Sequence, residues 1–262
     1  MSVSFAVTAF RESTRDDGER LLRCLEPARA HPGIHEVVVV DDGSDDYGWL
    51  SGLLGSALKV AIYHNPENQG VFGNKIEAVA RSTGDWVITC DSDNLMRADF
   101  IDKILSLDKL PHTWYCPSFA RPKFDYRRLI GDYDLAGLER ILDEPMFQCA
   151  CNTGNQTVHR KCFMDTFQKY RGRRADLMMP NWLNIPEAER STHHWRLVFD
   201  ALDSFILNWT WLQDEGRLHI VDGLEYDHYW SGGDDSNYAR SPQEKDDLGA
   251  ALFKELKAWV NG

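Results

Sequence analysis

Hydrophobic positions in the first hundred residues fall into two alternating kinds of run. Short, almost wholly apolar stretches at residues 4–9, 35–40, 58–63 and 86–90 predict strands covered on both faces. Between them, apolar residues recur at helical spacing. Residues 16–30 place Leu21, Leu22 and Leu25 on one face, residues 48–56 form a short helix, and residues 74–82 bring Ile76, Val79 and Ala80 into register. Gly84 stands where a glycine would close that last helix. Strands alternating with helices predict a mostly parallel sheet with helices on both faces.

Beyond about residue 110 the pattern loosens. Strands are expected over 114–118 and 155–159, the second leading into a helix over 161–169. Residues 171–190, rich in Arg, Pro and Asn, read as a long loop, and Arg171-Gly172-Arg173-Arg174 is its basic run. A helix follows over 195–213 and a short strand over 218–221. Ser241-Pro242-Gln243-Glu244 then caps a last helix to residue 260. Its stripe of Leu248, Leu252, Leu256 and Trp259 suits packing on the domain or on a second subunit of a homo-oligomer. The expected organisation is a single α/β domain over 1–262. It divides into one half over 1–105, a second over 106–240 and the terminal helix over 241–262.

Composition narrows the partners. With 43% hydrophobic residues and nine tryptophans, the chain has material for a substantial core. A net charge of −12 argues against a nucleic-acid partner, because phosphate backbones select basic surfaces. The six cysteines show no framework spacing, and Cys149-x-Cys151 is too close for a zinc knuckle, which predicts free thiols in a reducing cytosol. The first residues lack a secretion signal, and no run approaches the ~18 apolar residues of a membrane span. A cytoplasmic protein is expected, so the sequons at Asn155 and Asn208 read as chance matches.

Two strands end in carboxylates: Val37–Val40 runs into Asp41-Asp42-Gly43-Ser44, and Trp86–Cys90 into Asp91-Ser92-Asp93. Acidic residues number 41 of 262, so an acid-x-acid triplet arises by chance several times, and a solvated turn would explain one. Position after a buried strand is what gives this triplet meaning. Open α/β sheets bind ligands beyond the carboxyl ends of their strands. A rim of carboxylates there attracts phosphate only with a cation between them. These two strand ends therefore point to a metal-bound nucleotide diphosphate.

Four ordered motifs over residues 4 to about 105 resemble the inverting glycosyltransferases of family 2, which have the GT-A (Rossmann-like) fold. They are the opening strand with Thr8, Val39-Val40-Asp41-Asp42-Gly43-Ser44, Asn68-Gln69-Gly70 followed by Lys75, and Asp91-Ser92-Asp93. The resemblance implies that the motifs of Thr8, Asp41 and Asp42 hold the nucleotide, with Thr8 and Asp42 at the base. It puts Asp91 on the ribose side, Asp93 on a divalent metal, and Lys75 near the nucleotide. Ile76 departs from the family pattern, which often carries Asn there.

In the second half, Cys151-Asn152-Thr153-Gly154-Asn155 resembles the family's acceptor-side segment, with Gly154 and Asn155 near the sugar. A plain turn entering a strand explains it equally well. An inverting transfer needs a base for the acceptor hydroxyl. By resemblance that base is Asp203, in a partly apolar setting beside Leu202, Phe205 and Ile206, with Asp200 as its rival. His228 matches the late metal ligand of such folds, with Asp227 the runner-up, and Mn²⁺ and Mg²⁺ both suit such donors. Trp209, Trp211, Tyr229 and Trp230 suit either a sugar platform or the core.

The expected activity is metal-dependent transfer of a sugar from a nucleotide sugar, UDP-linked by resemblance, to a hydroxyl acceptor with inversion. The rival readings are a catalytically inactive GT-A scaffold and a sugar-1-phosphate nucleotidyltransferase. The second would want a glycine-rich basic loop after the first strand, which Phe10-Arg11-Glu12-Ser13-Thr14 does not supply.

Overall fold

A computed structural model describes residues 1–10, 15–55, 57, 59–137, 144, 155–182, 203 and 206–228, with the side chains of 15–17 and 172–182 excepted. Four strands make a parallel half-sheet: β1 (Val3–Ala9), β2 (Glu36–Asp41), β3 (Val60–His64) and β4 (Trp86–Asp91). All seven residues of β1 are buried, as an apolar run between two covered faces requires. Alternation sorts its side chains. Phe5 and Val7 join Val37, Val39 and Ile88 in one core, against α1 (Arg15–Ala30), α2 (Tyr47–Leu54) and α4 (Ala98–Ser106). Ala6, Val38, Val40 and Val87 face the other core, against α3 (Gly70–Arg81), α5 (Arg160–Trp182) and the helical residues 206–213.

The second half adds β5 (Thr113–Arg121), β6 (Phe124–Asp125), β7 (Gly131–Tyr133), β8 (Thr157–His159) and β9 (Arg217–Asp227). Among the described residues the strands form one sheet in the order β3-β2-β1-β4-β8-β5-β9-β7, with β6 on β5. Antiparallel pairing enters with β8, which joins β4 to β5. The chain order turns back at β1, flanked by β2 and β4, and open α/β sheets bind ligands beyond the carboxyl ends of the strands at such a reversal.

Several elements differ from the sequence reading, each for a physical reason. Leu22 is 41% exposed while Leu21 and Leu25 are buried, so the core stripe of α1 is narrower than the leucine cluster suggests. α3 starts at Gly70, four residues before the expected position, because a distant aspartate caps it. It ends at Arg81 with Ser82 extended, so Gly84 does not close it. Gly84 instead lies against β1, where a Cβ would come within 2.6 Å of Ser4 Oγ and 2.8 Å of Ser4 N.

α4 is an addition to the elements expected from the sequence; Phe100, Ile101 and Ile104 lie at helical spacing and are buried, although Arg97 makes no side-chain cap. Residues 171–182, expected in a loop, continue α5 despite their Arg, Pro and Asn content. The strand expected over 218–221 runs on through Asp222-Gly223 to Asp227, because the register shifts between Pro117 and Phe119 and takes up the extra residues. Gly223 sits there at φ 69, which favours glycine. The helix expected over 241–260 lies outside the described residues, as do Cys149, Cys151, Tyr229 and Trp230. Among the described residues, no helix is long and apolar enough to cross a membrane.

Candidate active site

Register levels the strand ends. Thr8 pairs with Asp91 across β1–β4, and Ala9 with Asp41 across β1–β2. The Asp91 carboxylate gathers donors from four segments of the chain, two of them regular elements. Its Oδ1 accepts the Thr8 hydroxyl at 3.2 Å and pairs with Lys75 Nζ at 2.8 Å. Its Oδ2 accepts Asn155 Nδ2 at 3.1 Å and Asn94 Nδ2 at 3.3 Å. Desolvation raises the carboxyl's pKa, but the Lys75 charge and these donors outweigh it and hold it below the usual range.

Asp93, two residues on, lacks such a set. Asp93 is exposed, yet desolvation, then the Asp91 charge, pushes its carboxyl up to about 6. His228 follows β9 and feels Asp91 and Lys75 in turn, with desolvation pushing its pKa below the ordinary value. Its Nδ1 is buried without a hydrogen-bond partner, while its backbone N–H donates to Arg121 O at 2.8 Å. The loop after Asp93 is clamped to β9: Leu95 and Asp227 exchange backbone hydrogen bonds at 2.9 and 3.0 Å. Asp227, the alternative metal ligand, accepts Arg97 Nε at 2.8 Å and Arg121 Nε at 2.9 Å. Two guanidinium groups thus occupy it.

Two features suit a divalent cation here. Asp93 is an acid crowded by a second acid, and His228 presents a neutral imidazole with an orphaned nitrogen. Among the described residues no group of three or more His, Cys, Asp or Glu side chains converges as a complete site.

The second acidic motif is built into the scaffold. Asp41 is 1% exposed. It accepts Ser44 Oγ at 2.6 Å, Ser44 N at 2.9 Å and His64 Nδ1 at 2.7 Å, and Tyr47 stacks on His64 at 4.3 Å. Asp42 Oδ1 accepts the Gln69 amide at 2.7 Å and Asn65 Nδ2 at 3.2 Å, which caps α3 across 27 residues of chain. Burial raises its carboxyl's pKa despite these bonds. Asn74, unnoticed in the sequence, donates Nδ2 to Val40 O at 3.0 Å and Ala9 O at 3.4 Å, tying α3 to both strand ends. A polar residue beside the buried Ile76 and Ala78 is the signal that marks it. Ile76 itself is buried in the core.

Asn155 is 4% exposed, and besides Asp91 its Nδ2 reaches Tyr226 Oη at 3.0 Å. Asn208 is buried too, and its Oδ1 accepts Gln156 Nε2 at 3.3 Å, so both sequon asparagines are committed inside the fold. Gly154 and Asp200 lie outside the described residues. Asp203 is helical and buried at 6% exposure. Trp209 and Trp211 belong to the core, with Trp211 stacked on Trp114 at 4.6 Å.

A sequence model described as Glycosyl transferase family 2 matches residues 4–171. An N-acetylglucosaminyltransferase from Bradyrhizobium elkanii is 32% identical over 110 residues, 40% of this chain and 58% of that protein. The chain thus matches little more than half of that relative's length. Among solved structures, S. aureus TarS 1–349 in complex with UDP-GlcNAc aligns with a TM-score of 0.55 at 16% identity, covering 96% of this chain and 66% of that one. The same protein with UDP gives 0.53 at 16% identity, over 96% and 65%. Sheet order and these likenesses define the GT-A fold. The chain belongs to glycosyl transferase family 2.

Proposed function

We propose that this protein is a metal-dependent glycosyltransferase that moves a sugar from a UDP-linked donor to a hydroxyl acceptor with inversion. The observation that carries this reading is that Asp93 and His228 each feel the charges of Asp91 and Lys75, beyond the strand ends. Asp93 and His228 hold the divalent cation, Mn²⁺ or Mg²⁺, which when bound supplies Lewis-acid stabilisation to the leaving diphosphate. Thr8 and Asp42 bind the nucleoside. Lys75 neutralises Asp91 and stays within reach of the diphosphate. The sugar named on the B. elkanii relative and the UDP-GlcNAc bound in the TarS complex support UDP-N-acetylglucosamine as the first donor to test.

Asp203 takes the proton from the acceptor hydroxyl. Its burial supports that role, since surrounding protein holds the carboxylate in place. The free thiols of Cys24 and Cys90, 3.8 Å apart and unbridged, support a cytosolic setting.

The test is release of sugar from UDP-N-acetylglucosamine with water as acceptor, followed by proton NMR. Inversion predicts that the β-anomer forms first. Asp203→Asn should lower turnover by about 10²–10⁴ while leaving UDP affinity in Mn²⁺ within about twofold. Initial release of the α-anomer would contradict inversion, and full turnover by Asp203→Asn would remove Asp203 as the base.

A further inference from the structure

The Asp91 carboxylate has about four lone-pair sites, and four donors fill them. One donor differs from the rest. Asn155 binds Asp91 twice, with Nδ2 to Oδ2 at 3.1 Å and Oδ1 from the Asp91 backbone N–H at 3.1 Å. Its remaining amide hydrogen goes to Tyr226 Oη at 3.0 Å. The side chain therefore closes on both the backbone and the carboxylate of one residue, and its own orientation is fixed by a buried tyrosine. A turn residue entering β8 has no need of this, because the β4–β8 ladder already pairs Ile88 with Thr157.

Tyr226 brings a second strand into the arrangement. It lies on β9 two residues before His228, and the two rings sit edge to face at 6.3 Å. Strand β9 thus delivers a proposed metal ligand and, one step earlier, the group that orients Asn155. Tyr226 is 4% exposed, and burial raises its phenol's pKa, so it stays a neutral partner at every working pH.

From this geometry we infer that Asn155 and Tyr226 are positioning residues that lock Asp91, and with it the start of the Ser92–Asp93 turn, in the orientation that receives the cation and diphosphate. The inference rests on the donor reading above and assigns Asn155 to the triad, away from the acceptor. Asp91, with its lone pairs filled, serves as the fixed charge of the site, and Asp93 remains the acid open to the cation.

Three variants test it: Asn155→Ala, Asn155→Asp and Tyr226→Phe, with UDP as the titrated ligand. Mn²⁺ binding to the UDP complex is followed by loss of the free-ion EPR signal, and UDP binding without metal is measured beside it. Asn155→Ala should weaken Mn²⁺ binding about tenfold, and Tyr226→Phe should weaken it less. Asn155→Asp keeps the shape but sets two carboxylates together, so it should lose most. Metal-free UDP binding should change little, a split that general loss of structure would not produce. Unchanged Mn²⁺ affinity in Asn155→Ala would overturn the inference.

If the wild type binds no UDP with Mn²⁺, the donor reading fails, and a ligand-free cycle decides the anchor. Urea unfolding of Asn155→Ala, Asp91→Ala and the double variant should show the double losing clearly less than the sum of the singles. Additive losses would overturn the inference by this route.

Discussion

Asp42 shows how a residue from a binding motif can also be a structural cap. Its Oδ1 accepts the Gln69 amide at the start of α3, while burial pushes its carboxyl's pKa up. A neutral acceptor of the same shape should therefore serve as well as the acid. Asp42→Asn is expected to keep wild-type stability, whereas Asp42→Ala should lose about 1–2 kcal/mol in urea unfolding. Equal losses in both would show that charge, not the cap, matters there.

Glu36 gives a pH signature. Its Oε1 accepts Ser4 Oγ at 2.7 Å, Thr83 N at 2.6 Å and Thr83 Oγ1 at 2.8 Å. Desolvation raises its pKa, but these donors prevail and set it below its ordinary 4.5. A carboxyl lowered by folding stabilises the native state above its unfolded pKa, and that stability is lost as pH falls through the folded value. The stability gap between wild type and Glu36→Gln should be widest near pH 7 and should close in acid. A gap independent of pH would refute the assignment.

At the scale of elements, the parallel half was legible because β1, β2 and β4 are largely apolar runs between covered faces, and the half-buried edge strand β3 still reads apolar over Val60–Tyr63. What stayed hidden depended on partners far along the chain. The first turn of α3 is set by Asp42, the close approach at Gly84 by Ser4, and the length of β9 by a shift in β5. Local spacing carries none of these. Gly84→Ala should cost about 1–3 kcal/mol, because the new methyl meets the backbone of β1 as well as a hydroxyl. α4, not among the expected elements, is held by burial. Phe100 is 2% exposed, and Phe100→Ala should cost about 3–5 kcal/mol by thermal or urea unfolding. A loss under 1 kcal/mol would mean that α4 contributes little to the core.

Over the whole molecule, the acids of the two motifs meet on one rim because the parallel register levels Thr8 with Asp91 and Ala9 with Asp41. The sequence revealed the acids but not their division of labour. Asp41 and Asp42 are largely spent on Ser44, His64, Asn65 and Gln69. Asp91 is spent on its four donors, and Asp93 is left. That division arises from hydrogen bonds between distant segments, which one-dimensional spacing does not encode. A chain of net charge −12 that handles a diphosphate needs a countercharge, and the account gives that part to a cation on Asp93.

The most direct measurement is calorimetric titration of UDP into the wild type and Asp93→Ala, with and without Mn²⁺. The account predicts binding that Mn²⁺ strengthens at least tenfold in the wild type, and no such strengthening in Asp93→Ala. Equal Mn²⁺ dependence in both proteins would contradict the role of Asp93. Absence of UDP binding under every condition would contradict the donor site itself and leave a GT-A scaffold in its place.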